Sequence, residues 1–158
     1  MRFYALGNYY LSSIQQGIQA FHCLGDMMNE YPAKINVDEY SKNYITANRM
    51  FHDWAENHKT LICLNGGNNM SLKAAAKLFD DGRNTGFPYM TFHEDEQSMD
   101  GMLTCVGIVV PEYIYEAEAR VIASDSESTT YGYFYNDKHL STWEEEVFLK
   151  IKNCSLAR

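Results

Sequence analysis

The sequence predicts an α/β domain, a three-layer arrangement in which helices cover both faces of a mixed β-sheet of about four strands. Three observations lead to this prediction: capping boxes at the starts of helical stretches, short β-branched apolar runs between those stretches, and the order strand, helix, helix, strand, helix, strand, strand. The 158 residues, 46% of them hydrophobic and 22% charged, suit one domain with its own core. We therefore expect a single domain over residues 1–158.

The chain opens with a predicted strand and a long helix. Arg2–Leu6 has the composition of a short strand and leads into a turn. Ser12 and Ser13 each precede a glutamine by three residues, which is the spacing of a capping box, so a helix is expected to begin here. The helix should end near Tyr31, because the residue before a proline, here Pro32, is disfavoured in a helix.

The later elements follow from the same signals. They are a helix from about Asn43 to Asn57, a buried strand at Lys59–Leu64, a helix at Ser71–Phe79, strands at Pro88–His93 and Met102–Val110, weaker strand patterns at Tyr113–Ala123 and Tyr131–Tyr135, and a helix from the capping box at Ser141 to about Asn153. Tyr131–Tyr135 is expected at a sheet edge, and residues 125–130 as a polar turn.

Charge is unevenly distributed along the chain. Residues 1–90 hold eight acidic and eight basic side chains, whereas residues 91–158 hold thirteen acidic and five basic ones, which accounts for the net charge of −8. A nucleic-acid-binding protein normally presents a basic face to the phosphates. The acidic second part therefore counts against RNA binding, although the first ninety residues leave room for a local basic face.

Other signals limit the class of protein. The four cysteines lack metal-site spacing and are expected as buried free thiols, and the five histidines also lack such spacing, so no metal is predicted. No apolar run approaches the roughly 20 residues of a membrane span. The N-terminus has no apolar signal-peptide core, so a cytoplasmic location is expected.

A polar stripe on the first helix is the main candidate for a functional site. Gln15, Gln19 and His22 stand at i, i+4 and i+7, and Asp26 extends the stripe by another turn. Two amides and an imidazole are suited to orienting a carbonyl, a ribose hydroxyl or an attacking water. The largely apolar remainder of the helix is expected to pack on the sheet. An ordinary solvated polar face has the same spacing.

The segment Leu11–Leu24 resembles the first helix of type 2 peptidyl-tRNA hydrolases, in which a glutamine lies three residues before a histidine, as Gln19 and His22 do here. The order of later segments extends the resemblance over residues 1–111, and it is closest to short, virus-encoded members of the family. These segments are Lys59–Leu64 as the next strand, Ser71–Phe79 as the next helix, and Phe92–Gln97 with Leu103–Ile108 as the final hairpin. Residues 112–158 lie beyond the resemblance, and we expect them to form an added hairpin and a helix.

The resemblance implies hydrolysis of the ester between a peptide and tRNA, with no metal or organic cofactor. His22, oriented by the carboxylate of Glu94, would position or activate water, and Thr104 would donate a hydrogen bond. Gln15, Gln19 and Thr104 would bind the ester and the terminal ribose. Lysines at i and i+4 on the third helix, Lys73 and Lys77, would meet tRNA phosphates; a solvated helix face is the alternative.

Two departures from the family pattern leave a different function open. Gln15 stands where family enzymes commonly have a lysine, and Glu94, Asp95 and Glu96 replace the family's D-x-G-x-T motif. A cation that would neutralise phosphate or a developing oxyanion is therefore missing. The alternatives are a binding module of viral origin, without catalysis, that captures a host protein or a nucleotide-like ligand, and a homodimer formed through a tyrosine-rich surface.

Overall fold

The computed structural model of the chain describes residues 1–81, 85–124 and 128–157. Its elements, in chain order, are β1 (Arg2–Asn8), α1 (Ser13–Glu30), a 3-10 turn (Val37–Glu39), α2 (Lys42–Asp53), a π-helical turn (Trp54–His58), β2 (Leu61–Gly67), α3 (Asn69–Asp81), β3 (Tyr89–His93), α4 (Glu96–Met99), β4 (Leu103–Val110), α5 (Glu112–Tyr115), β5 (Glu118–Ser124), β6 (Thr129–Tyr135), β7 (Lys138–His139) and α6 (Thr142–Lys152).

The first sheet is mixed and has the strand order β2-β1-β4-β3. β1 pairs in parallel with β2 and antiparallel with β4, and β4 pairs antiparallel with β3. All eight residues of β4 are buried, which agrees with a sequence that is apolar apart from Thr104 and Gly107. The predicted α/β architecture with a four-stranded mixed sheet is confirmed.

Helices cover this sheet on both faces and enclose two apolar clusters. On one face, α1, α2 and the π-helical turn pack against alternate residues of β1 and β4, including Phe3, Ala5, Cys105 and Val109. On the other face, α3, α5 and α6 pack against the strand residues whose side chains point the opposite way, such as Tyr4, Leu6, Val106 and Ile108. The alternation follows from the period of two along a strand. It gives the predicted layer order of helix, sheet and helix.

Helix α1 packs with a different face from the one its hydrophobicity suggested. The inward side chains are Gln16, Gln19, Ala20, Cys23 and Met27. Several larger apolar side chains that were expected to pack on the sheet are instead in solvent; they are Ile14 (77% exposed), Ile18 (48%), Phe21 (71%) and Met28 (60%).

The packing of α1 on the sheet explains this orientation. At Gly107 in β4, an added Cβ would lie 3.0 Å from the Cys23 sulfur and 2.5 Å from Cζ of Phe3. The space between helix and sheet is therefore filled already, and only small side chains such as Ala20 and Cys23 fit where the helix comes closest.

The second predicted helix changes geometry before it ends. It is α-helical to Asp53 and then forms a π-helical turn, Trp54–His58. The turn closes at Lys59, whose φ is 57° and whose N–H donates to the carbonyl of Trp54. The Trp54 indole N–H donates to the carbonyl of Thr60 over 2.9 Å, which fixes the ring beneath the start of β2. Lys59, predicted as the start of that strand, instead caps the π-helical turn, and β2 begins at Leu61.

The C-terminal part adds a second sheet and a helix. β5, β6 and β7 form a three-stranded antiparallel sheet in that order, so β6, predicted at an edge, is the central strand. The expected capping box at Ser141 forms and begins α6. Val147, Phe148 and Ile151 of α6 are buried as predicted. Residues 125–127 of the predicted polar turn lie outside the described residues.

Candidate functional site

A hydrogen-bond network joins α1 to the β3–β4 hairpin. The side-chain amide of Gln19 donates from Nε2 to Oε1 of Glu94 over 2.6 Å. The hydroxyl of Thr104 donates to Oε1 of Gln19 over 3.0 Å. Gln19 and Thr104 are buried, at 6% and 0% exposure. Three of the residues singled out in the sequence are therefore brought together in one network.

Each member of the network is positioned by local structure. Gln19 projects from the inward face of α1. Thr104 is the second residue of β4, and Glu94 directly follows β3. The register of the β3–β4 pair shifts between Phe92 and His93, and the Glu94 N–H donates to the carbonyl of Met102. Bulges of this kind redirect side chains at strand ends, so the irregularity accounts for the approach of Glu94 to the helix.

His22 lies beside the network but is not bonded as expected. Its ring stacks on Phe92 of β3, with centroids 5.0 Å apart and planes 17° apart, and it is exposed to solvent. Within the described residues, the predicted hydrogen bond between His22 and Glu94 is not present. Instead, Gln19, one turn earlier on α1, donates to the Glu94 carboxylate, and the His22 ring lies flat on the ring of Phe92.

Gln15 caps the helix and does not enter the network. Its Oε1 accepts from the backbone N–H of Ser12 over 2.9 Å, and its own N–H donates to the Ser12 hydroxyl oxygen over 3.3 Å. This is the capping box predicted at Ser12. The second predicted box, at Ser13, is absent, since Gln16 turns inward and donates to the carbonyl of Leu11 over 2.9 Å.

Two buried polar residues near the network, Asn8 and Gln16, were not among the candidates predicted from the sequence. Asn8, at the end of β1, is fully buried; it accepts from the N–H of Tyr10 and donates to the sulfur of Met102. Gln16 is 3% exposed, and its Oε1 has no hydrogen-bond partner within the described part of the chain. The available signal was spacing: Gln16 stands three residues before Gln19, on the same helical face.

Lys73 and Lys77 are exposed on α3, which covers the opposite face of the sheet from α1. The structure does not bring them into the network. β1 and β2 run in parallel and end together at Asn8 and Gly67, so α1 and α3 both begin at this end of the sheet. Lys73 is about one turn into α3 and Lys77 about two. Arg83, which follows these lysines in the sequence and was a further candidate for a phosphate contact, lies outside the described residues.

The cysteines lie outside the hydrogen-bond network of Gln19, Glu94 and Thr104. The Cys105 thiol contacts Cys23 and is buried, and both effects raise its pKa well above the usual value. Burial also raises the pKa of Cys63. A thiolate is the reactive form of cysteine, so both groups are unreactive thiols at neutral pH. All four cysteines are free.

Within residues 1–81, 85–124 and 128–157, no three His, Cys, Asp or Glu side chains are grouped as metal ligands would be. None of the helices in those ranges combines the length and the apolar character that crossing a membrane would require. In comparisons with known proteins, no family model matches the chain and no curated protein is significantly similar to it.

Proposed function

We propose that the chain is a peptidyl-tRNA hydrolase-like protein that cleaves the ester of peptidyl-tRNA with water. The network of Gln19, Glu94 and Thr104 is the observation that carries this proposal. Its members come from the two segments that resemble the family most, the first helix and the final hairpin. The proposal includes a type 2 peptidyl-tRNA hydrolase-like version of the α/β fold, with residues 112–158 as an extension.

In the proposed mechanism, His22 is the general base. The oxygen of a water molecule attacks the ester carbonyl carbon while the imidazole takes its proton. The bond between that carbon and the ribose oxygen then breaks, and the proton passes from His22 to the ribose oxygen. The products are a peptide carboxylic acid, which ionises in solution, and a free tRNA hydroxyl.

The other residues position the reacting groups. An ionised carboxylate accepts about four hydrogen bonds, so the bond from Gln19 to Glu94 is compatible with another from the attacking water. Thr104 acts through Gln19, because its hydroxyl donates to that amide. It is therefore a positioning residue and not a direct donor to substrate. Lys73 and Lys77 would contact phosphates of the tRNA at the end of the sheet where α1 and α3 begin.

Release of tRNA from an N-acetylated aminoacyl-tRNA tests this function. Wild-type protein should release tRNA, and His22→Ala should be slower by about 100-fold or more, the contribution typical of a general base. Glu94→Gln should also be slower. His139→Ala, at an exposed histidine of β7, is the matched control and should be unchanged. An inactive wild type, or undiminished activity in His22→Ala, would contradict the proposal.

A binding module without catalysis is the second candidate. The exposed side chains Ile14, Ile18 and Phe21 favour it, because contiguous apolar surface on a helix marks interaction sites. Gln15 favours it as well. This residue stands where family enzymes commonly have a lysine, and here its side chain caps the helix and supplies no cation for catalysis. The partner would be a protein surface, with a second copy of the chain as the simplest case.

Light scattering tests this case. It should give twice the chain mass for wild type and the mass of one chain for Phe21→Glu, with no ester turnover in either protein. A monomeric wild type would contradict self-association.

A further inference from the structure

We propose that a cavity between α1, α2 and the π-helical turn binds a hydrophobic carboxylate, with the acid group on Lys59. The cavity has a volume of about 530 Å³, within the range of small-molecule sites. Its lining residues are Leu24, Met28, Tyr31, Ala33, Phe51, His52, Trp54, Ala55, Lys59 and Leu61. Its lining includes Leu24 and Met28 of α1 but neither Gln19 nor His22, so this site is independent of the proposed hydrolase function.

The cavity wall offers apolar surface to a ligand. Tyr31, Phe51 and Trp54 form a continuous aromatic group, with centroids 5.9 Å apart in both the Tyr31–Phe51 and the Phe51–Trp54 pairs. Two of the polar groups of the wall, on Trp54 and His52, are bonded to backbone carbonyls. The Trp54 indole donates to the carbonyl of Thr60, and Nε2 of His52 is 2.9 Å from the carbonyl oxygen of Tyr31. An apolar tail would therefore meet rings and aliphatic groups without displacing a bonded polar atom.

Lys59 provides a cation at the edge of this apolar wall. The residue is exposed, and its ammonium has no hydrogen-bond or ion-pair partner among the described residues. The π-helical turn holds Lys59 at a φ of 57°, on the same turn that presents Trp54 and Ala55 to the cavity. π-helical turns and left-handed non-glycine residues occur often at functional sites.

An apolar wall with a cation at its edge selects the class of ligand. A neutral apolar molecule would leave the ammonium unused, and a cationic amphiphile would be repelled by it. A carboxylate with an apolar tail satisfies both parts of the site, since charge-assisted hydrogen bonds to carboxylates are stronger than neutral ones. The tail supplies affinity through the apolar area it buries.

The two tryptophans allow a direct binding measurement. Trp54 lines the cavity, whereas Trp143 packs against Phe87 in the cluster on the opposite face of the sheet. In a Trp143→Phe background, Trp54 is the sole reporter. Dodecanoate, kept below its micelle concentration, should change the Trp54 emission saturably at one site per chain. Dodecyltrimethylammonium should bind at least tenfold more weakly.

Variants separate the acid-binding part from the apolar part. In the same background, Lys59→Gln should reduce the preference for dodecanoate to less than threefold, and Lys59→Arg should keep it. Ala55→Phe, which places a ring in the cavity, should abolish binding. Lys42→Gln, at an exposed lysine at the other end of α2, is the matched control. Equal binding of the two amphiphiles to wild type, or no saturable change, would overturn the proposal; the Lys59 pair decides it even where Ala55→Phe does not fold.

Discussion

The hydroxyl of Thr104 donates to the carboxamide oxygen of Gln19, and this bond fixes the direction of the amide. The nitrogen of the same amide then faces Glu94, and its N–H donates to an oxygen of that carboxylate. A glutamine in this place therefore connects two strands through a single side chain. Neither a carboxylate nor an apolar residue of the same size makes both bonds.

Substitution of Gln19 by Glu should make stability depend on pH. The new carboxylate would face Glu94 across a distance that is 2.6 Å in the native pair. Repulsion raises the folded-state pKa of one carboxylate above its unfolded value, so stability is lost as pH rises through that pKa and regained below the unfolded value. A loss of about 1–3 kcal/mol is expected at pH 7.5.

Urea unfolding of Gln19→Glu at pH 7.5, 6 and 4.5 measures this effect. The loss relative to wild type should shrink as the pH falls. Gln15→Glu is the control, because an acid at the third helical position retains the capping box and should cost nothing. Wild-type stability of Gln19→Glu at pH 7.5 would contradict the described network.

Thr104 and Gln19 should be energetically coupled. Thr104→Val removes the donor and leaves Oε1 of Gln19 buried without a partner, which costs about 1–3 kcal/mol. Gln19→Met removes the acceptor as well. The double variant should therefore lose less than the sum of the single losses, by about 0.5–3 kcal/mol, in a double-mutant cycle measured by urea unfolding. If the free-energy losses of the two single variants simply added up in the double variant, the hydrogen bond between Thr104 and Gln19 would contribute nothing to stability.

The orientation of α1 makes a prediction about two of its apolar residues. Met27→Ala should cost about 2–5 kcal/mol, because Met27 is fully buried in the core. Phe21→Ala should change the free energy of unfolding by less than about 0.5 kcal/mol, because its side chain is in solvent. Thermal and urea unfolding measure both variants. The reverse order would indicate that the helix packs with its more hydrophobic face.

Glu144 should contribute stability that is lost in acid. Burial alone would raise its pKa, but hydrogen bonds from the Ser141 backbone, the Tyr113 hydroxyl and the Ser141 side chain, with the nearby Lys138 ammonium, lower the net pKa. A lowered folded-state pKa gives stability that is present above the unfolded pKa, near 4.3, and is lost as pH falls through the folded value.

Glu144→Gln should therefore be less stable than wild type at pH 7, by about 1–3 kcal/mol. The difference should narrow as the pH is lowered below 4, which urea unfolding at several pH values would show. Glu146→Gln, at an exposed glutamate of the same helix, is the control and should follow wild type. A difference that does not change with pH would exclude the ionised form of Glu144 as its source.

The order of elements could be predicted because its signals are local. The capping boxes at Ser12 and Ser141 each involve only the four residues at the start of a helix. The apolar run at Leu103–Val110 identifies a buried strand without any knowledge of its neighbours. These features depend on backbone preference and hydrophobicity alone.

The face of α1 that packs inward could not be predicted in the same way. Two stripes with helical spacing are present on the helix, one containing Ile18 and Phe21 and the other containing Ala20 and Cys23. Hydrophobicity favours the first stripe, but the close approach to β4 at Gly107 requires the second. That information lies far along the chain, in a strand whose pairing is not local.

The site could be predicted in part for a related reason. Gln19, Glu94 and Thr104 were selected from the resemblance, and the structure brings them together. The partner of Glu94 depends on the register shift at Phe92 and His93, which has no signal in composition. Glu94 was expected to pair with His22, but it accepts a hydrogen bond from Gln19, one helical turn earlier.

The interior position of β1 has a consequence for synthesis of the protein. β1 precedes both of its partners in the chain. It is hydrogen-bonded on one side to β2 and on the other to β4, so its second edge is paired only after Val110 has left the ribosome. Until then a nascent chain carries an apolar strand with an open edge, which is a site for mispairing. Release of chains truncated before Leu103 should accordingly yield aggregates and not smaller folded domains.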